Sequence, residues 1–398
     1  MVSLLRNTVR DYAWGSPTTI PELLGEPADG RPWAELWMGA HEGAPSVLAD
    51  GNNLYDAVTA DPAGVLGPEV AERFSGRFPF LAKILAAAQP LSIQAHPSAA
   101  QAAEGFARED ADGVPRDAAE RNYRDAWPKP EILVALGTFQ ALVGFRPLER
   151  TLALLDALAC APLAGLAASL RDGKLAEVFE QVMSSSTDAV RDDVAALGSA
   201  CRDYHGTGFA AEAATLDRLA ADFPDDPGVL AALLLNRVTL ERFDAVYLPA
   251  GNVHVYLHGT GFEVMANSDN VLRGGLTRKH VDVPELMSVV DFTPLPDPVL
   301  RAVPGDAPGV WDYPAGCEYF VVRRVELDGV PVSLEAGGPR IVACLDGDVT
   351  VRCGDGVAEL TAGRSAFAGG TEPACSLTGR GTAFTVSVPR TARGDERR

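Results

Sequence analysis

Apolar and polar side chains alternate through Leu91-Ser-Ile-Gln-Ala-His96, and a period of two is the mark of a half-buried strand. In an extended chain Leu91, Ile93 and Ala95 share one face, and Ser92, Gln94 and His96 share the other. The alternation returns at 253–258, where Val253, Val255 and Leu257 separate His254, Tyr256 and His258. Gly259-Thr-Gly261 then reads as a turn, with Phe262-Glu-Val-Met-Ala266 running back as the second arm of a hairpin. Phe78-Pro-Phe-Leu-Ala-Lys-Ile-Leu85 reads as an apolar strand interrupted by Lys83, whose tip either snorkels to water or enters a polar cavity. Another strand starts near Glu131, because Pro128 and Pro130 cannot donate to a ladder, and it puts Lys129 and Glu131 on one face. Residues 7–16 and 34–43 read as short strands that end in glycine turns.

Between Leu148 and about Leu240 the period becomes helical: Leu152, Leu155 and Leu158 recur on one face, as do Val190, Val194 and Leu197. Pro162, Gly173 and the run 224–228 break this stretch into several helices, and it carries no evident chemistry. Ser98 is a candidate N-cap for a short helix that follows His96. Residues 109–126 read as a polar surface loop or lid. Beyond residue 300 the chain is rich in glycine and proline. Residues 341–356 read as two short strands with Gly/Asp turns, and regularly spaced short strands predict a jelly-roll sandwich. The chain is therefore expected to be mainly β with a helical insertion: β-rich 1–147, helical 148–240, β-rich 241–300, a C-terminal jelly roll over 301–390, and a charged, disordered tail at 391–398.

Composition narrows the function. The 398 residues carry a formal net charge of -20, which argues against nucleic acid or an anionic membrane as partner. An anionic substrate would need a local cluster of Lys and Arg to hold it against that field. No segment approaches the length of a membrane span, and the N-terminus has no apolar run of the signal-peptide kind. The six cysteines form no CxxC pair or dense framework, so they read as reduced thiols in a cytoplasmic protein.

Four residues on the polar faces of predicted strands stand out as metal ligands: Gln94, His96, Glu131 and His254. Two imidazoles, a carboxylate and an amide oxygen suit one zinc ion with room left for water. His254 and His258 lie about 13 Å apart along a strand, so at most one of them serves, and His258, beside the glycines, is the surface residue. The C-terminal stretch has no histidine and should be metal-free.

These segments resemble the type I mannose-6-phosphate isomerases of the zinc-dependent cupin superfamily. The likeness rests on Tyr12-Ala-Trp-Gly15, Ala34-Glu-Leu-Trp-Met-Gly39, Leu91-Ser-Ile-Gln-Ala-His-Pro97, Lys129-Pro-Glu131, and the stretch from His254 through Glu263-Val-Met-Ala-Asn-Ser-Asp-Asn-Val-Leu-Arg273. The resemblance implies a cupin catalytic domain and one zinc per chain on Gln94, His96, Glu131 and His254. It also implies a sugar-phosphate substrate, with mannose 6-phosphate and fructose 6-phosphate interconverted through a cis-enediol. Arg273, Lys129, Ser92 and Glu263 match positions lining the family's pocket, Arg273 as a fixed cation for enediolate or substrate, and Lys83 matches a lysine on a neighbouring strand. Glu263 is the preferred base, with Lys129 and a metal-bound water as alternatives. Phosphate contacts are expected among Ser92, Lys83, Lys129 and Arg273. Pro128 and Arg278 depart from the family's pattern and put loop conformation in question. A non-catalytic sugar-phosphate binder and an iron-dependent cupin dioxygenase are the competing readings, and a monomer is expected.

Overall fold

A computed structural model describes residues 2–390. The predicted tail 391–398 lies outside the described residues. All named strand pairings are antiparallel, and they build a ten-stranded and a nine-stranded sheet. The first sheet is organised around one long strand, His254–Ala266. Its opening residues pair with Gln94 and with Phe139–Phe145, whereas residues 259–266 pair with Phe80–Ala87 on one side and Glu131–Ala135 on the other. Glu35–Gly39 and Thr8–Arg10 extend the sheet beyond Phe80–Ala87.

The hairpin expected at Gly259-Thr-Gly261 does not form. The strand continues through these residues, with a register shift between Tyr256 and His258. Gly259 adopts φ +129°, and a Cβ there would lie 2.7 Å from Phe139 Cδ2. The glycine is needed for close approach and a bend, not for chain reversal. The two short strands expected over 341–356 fail in the same way. Arg340–Cys353 is one bulged strand, and both of its halves pair with the single strand Cys375–Ser387. Turn-type glycines mark a hairpin only when the flanking segments pair with each other, and here each finds a better partner elsewhere.

Helices fill most of 148–232, packing Leu154, Leu155, Leu158, Val190, Val194 and Leu197 into one core with the underside of the site strands, including Ile93, Ala95 and Val255. Leu235–Leu240, expected at the end of the helical stretch, is instead a strand paired with Phe139–Phe145. Val2–Leu5 joins the C-terminal sheet through Ser365–Ala368, so the chain's first strand completes its last sheet. A second core lies between the sheets, where Phe262 and Phe384 stack with centroids 4.5 Å apart. Such a pair adds about 1 kcal/mol beyond burial.

Ser98 caps the helix Ala99–Ala111 through a capping box with Gln101, which fixes the backbone just after His96. The segment 109–126 is less of a lid than its polarity promised. Glu109 closes that helix as a buried residue, and buried Arg121 pairs with it at 2.9 Å and donates to the Tyr123 and Val114 carbonyls at 2.6 Å.

The expectation of six reduced thiols is also corrected. Cys353 and Cys375 face each other in register and are joined as a disulfide, while Cys160, Cys201, Cys317 and Cys344 are free. Sequence spacing hid the pair because cross-strand register, and not local proximity, brings the two together. Thiol titration of denatured, unreduced protein should therefore find four thiols, and six after reduction. Six before reduction would contradict the pairing.

Candidate metal centre and active site

His96, Glu131 and His254 come from three separate segments and meet at the base of a cavity. Their ligand atoms lie within 4.8 Å of one another. Glu131 Oε2 is 3.3 Å from His96 Nε2 and 3.5 Å from His254 Nε2, and all three residues are at most 3% exposed. Each imidazole is fixed from behind: His96 Nδ1 lies 2.8 Å from the Asn270 carbonyl and His254 Nδ1 3.1 Å from the Asn252 carbonyl. A carbonyl only accepts, so Nδ1 carries the proton and Nε2 turns its lone pair inward. Burial holds the His96 pKa down to about 4 against the attraction of Glu131, keeping the ring neutral at pH 7. Both Nε2 atoms are buried without a hydrogen-bond partner. Two lone pairs facing a carboxylate are unfavourable unless a cation sits among them, so the donor set fits a divalent metal of the zinc type. Gln94, the fourth expected ligand, lies opposite His254 in one ladder and opposite Arg273 in the other.

Gln94 and Glu131 open onto a cavity of about 510 Å³ that Ser92, Lys83, Lys129, Glu263 and Arg273 also line, while the two histidines lie behind its wall. All nine residues named from sequence are thus at the cavity or directly beneath it. Lys129 Nζ is 3.2 Å from Glu131 Oε1. For Glu131, burial works against the charge, but Lys129 and the histidines outweigh it and hold the carboxyl well below its ordinary range. Lys83 does not snorkel: its ammonium is buried, donating to Glu263 Oε2 at 3.0 Å and Glu35 Oε1 at 3.4 Å. Burial disfavours its charge, and Glu263 and Glu35 more than restore it, so its pKa is raised. Glu263 moves in the direction a base requires. Burial, then the nearby Glu131 and Glu35 charges, raise its pKa against the pull of Lys83.

The cavity mouth carries further cations that sequence reasoning missed. Arg124 and Lys279 line it together with Arg273. Burial lowers the Arg273 pKa and Arg124 lowers it further; Lys279 is lowered by burial, then by both arginines. Three cations gathered at one cavity offer an anion a local positive field within an acidic protein. Both residues sit in irregular loops, so no periodicity points to them. Glu35, Trp37 and Tyr256 also line the cavity. A charge at position 35 inside an apolar strand was the available signal for Glu35, the same signal that singled out Lys83.

A buried His–Glu–His donor set beneath a cation-rimmed cavity, in an antiparallel β framework, defines a metal-dependent enzyme for a small anionic substrate. Residues 2–148 match the family model described as phosphomannose isomerase type I, catalytic domain. The mannose-6-phosphate isomerase of Escherichia coli K12 is 38% identical over 384 residues, covering 95% of this chain and 97% of that protein. That of Rattus norvegicus is 32% identical, covering 81% of each. A crystal structure of the Salmonella typhimurium enzyme bound to substrate and zinc superimposes with a TM-score of 0.90 at 36% identity, covering 98% of this chain and 100% of that one. The chain belongs to the type I phosphomannose isomerase family.

Asn270 ties the site together. Its side chain accepts from the Arg124 and Asp125 amides at 2.7 and 3.2 Å and donates to the Asp125 and Trp127 carbonyls at 2.7 and 2.8 Å, while its own carbonyl orients His96. Asn270→Ala should cost roughly 2–4 kcal/mol in denaturant unfolding and weaken divalent-metal affinity by about tenfold or more in chelator competition. Wild-type values for both would contradict this role.

Proposed function

We propose that the chain is a zinc-dependent aldose–ketose isomerase that interconverts mannose 6-phosphate and fructose 6-phosphate. The observation that carries this reading is the pair of buried, unpartnered imidazole nitrogens facing Glu131 at the base of the cavity. The near full-length likeness to mannose-6-phosphate isomerases supports the substrate. His96, His254, Glu131 and Gln94 would hold the zinc. When bound, zinc supplies Lewis acidity and a template for substrate oxygens.

The remaining work falls to side chains of the cavity. Arg124, Arg273 and Lys279 receive the phosphate at the mouth, which directs the open-chain sugar's first two carbons inward; Ser92 adds a hydroxyl to the wall. Glu263 removes the proton from C2 of the aldose as O1 takes one up, giving a cis-enediol, and returns its proton to C1 as O2 gives one up, giving the ketose; the proton gained by O1 and that lost by O2 cancel. A carboxylate serves this role best when its pKa is lifted toward neutrality, and burial lifts that of Glu263. Lys83, charged and 3.0 Å from Glu263, orients it. Lys129, held at Glu131, places a positive charge where negative charge develops on the sugar oxygens. Because Lys83 is committed to two carboxylates, it is assigned to Glu263 and not to the phosphate. A non-catalytic binder would not need a buried base beside a committed lysine.

The sheet topology supports a cupin-type barrel for residues 1–147 with 241–300 and a second for 301–390, the helical segment being inserted in the first. We read the enzyme as a monomer working in the cytoplasm on a sugar phosphate, without nucleic acid or membrane. Among the described residues no helix is long and apolar enough to cross a membrane.

Purified protein should convert mannose 6-phosphate to fructose 6-phosphate. Glu263→Gln should lose at least about a hundredfold in turnover and Arg273→Ala more than roughly tenfold, both with metal content unchanged. Near-normal turnover of Glu263→Gln would remove it as the base, and loss of metal from Arg273→Ala would move that residue into the metal site.

A further inference from the structure

Four side chains on the cavity wall are linked by contacts: Trp37, Glu35 and Lys83 close on one another, and Lys83 reaches on to Glu263. Trp37 Nε1 donates to Glu35 Oε2 at 2.7 Å, and Lys83 Nζ donates to Glu35 Oε1 at 3.4 Å and to Glu263 Oε2 at 3.0 Å. The Trp37 ring lies 5.2 Å from the same ammonium. Strand register produces this arrangement. Trp37, Lys83 and Glu263 are direct neighbours in one row across three strands, and Glu35, two residues before Trp37, faces Leu85. All four are buried, from 3% to 7% exposed. A lysine with one carboxylate partner can leave it for a substrate oxygen. One held from two sides, with an aromatic face alongside, stays in place.

We propose that Glu35 is a positioning residue for the isomerisation: acting through Lys83, and without touching the substrate, it fixes the orientation of Glu263. This rests on the reading of Glu263 as the base. Both Glu35 oxygens are engaged by neighbouring side chains, so its influence on the reaction runs through Lys83.

The charges facing Glu263 give the effect its sign. Lys83 approaches from the adjacent strand and Glu35 from the strand beyond it. Glu131 and Lys129 stand on the other side, and Tyr256 precedes Glu263 on its own strand. Glu35, a like charge, raises the proton affinity of Glu263. Without that charge, Lys83 also turns wholly to Glu263, which lowers it further. Both changes make Glu263 a weaker base that titrates at lower pH.

The test uses the metal-loaded, full-length enzyme with Glu35→Gln, Glu35→Asp and Trp37→Phe. Glu35→Gln should lower kcat about tenfold, with KM for mannose 6-phosphate within roughly twofold of wild type. The acid limb of kcat/KM should move down by about half to one pH unit, with metal content unchanged. Glu35→Asp restores the charge and should bring the limb back toward wild type. Trp37→Phe keeps the Glu35 charge but removes its indole donor, so Glu35 draws Lys83 from Glu263; kcat should fall by less than in Glu35→Gln and the acid limb should move up, not down, and this variant carries the test if Glu35→Gln does not fold. An unmoved acid limb with normal kcat in Glu35→Gln and Trp37→Phe overturns the proposal. A raised KM at unchanged kcat overturns it too, since Glu35 would then touch substrate. Full turnover by Glu263→Gln defeats the base assignment itself; an inactive Glu263→Gln beside a wild-type-like Glu35→Gln defeats only the positioning role.

Discussion

The carboxylate of Glu131 is the interaction on which this structure depends. It is 3% exposed and faces two imidazoles whose inward nitrogens have no hydrogen-bond partner. Taking an ionised carboxylate out of water costs several kcal/mol even after relaxation, and Lys129 alone at 3.2 Å offsets only part of that. His96, His254 and Glu131 would together hold a dication, which would satisfy both imidazoles and the carboxylate. The folding of these three segments and the binding of metal are thus coupled free energies.

The long strand His254–Ala266 turns that constraint into an active site. Its first residue, His254, is a proposed ligand, and its second half supplies Glu263 and carries the row that sets Lys83 against it. The bend at Gly259 allows one strand to serve both ends, pairing with different neighbours before and after it. Four buried charges lie close together on this wall: Glu35, Lys83, Glu263 and Glu131. With three carboxylates against one ammonium the set is net negative, and a bound dication would by itself offset that excess. Proton affinity within the set is therefore tunable by position alone, which is what isomerisation at neutral pH asks of a carboxylate.

Much of this was legible in the sequence because alternation is a local signal. The faces of residues 91–96 and 253–258 followed from period two, and the helical stretch from period 3.6. The metal donors and Lys83 could be found because polar residues on otherwise apolar strands are conspicuous. What escaped was set by pairing between distant segments. Gly259 and Gly347 looked like turns because their flanking arms resemble hairpin strands, yet those arms pair elsewhere. The cross-strand register of Cys353 with Cys375, and of Val2–Leu5 with Ser365–Ala368, leaves no trace in spacing. Arg124 and Lys279 were invisible because irregular loops have no period to read. Pro128, one departure from the family's pattern, is buried beside Lys129, and Arg278, the other, is exposed near the cavity mouth; neither moves a proposed ligand.

The central claim is that one zinc per chain, held by Gln94, His96, Glu131 and His254, is what makes the cavity an enzyme. Zinc titrated into chelator-stripped protein, with isomerisation of mannose 6-phosphate followed at each addition, tests it most directly. The account predicts negligible activity at zero zinc and a linear return that saturates at one equivalent per chain. Full activity in the metal-free protein, or saturation only at two or more equivalents, would contradict it.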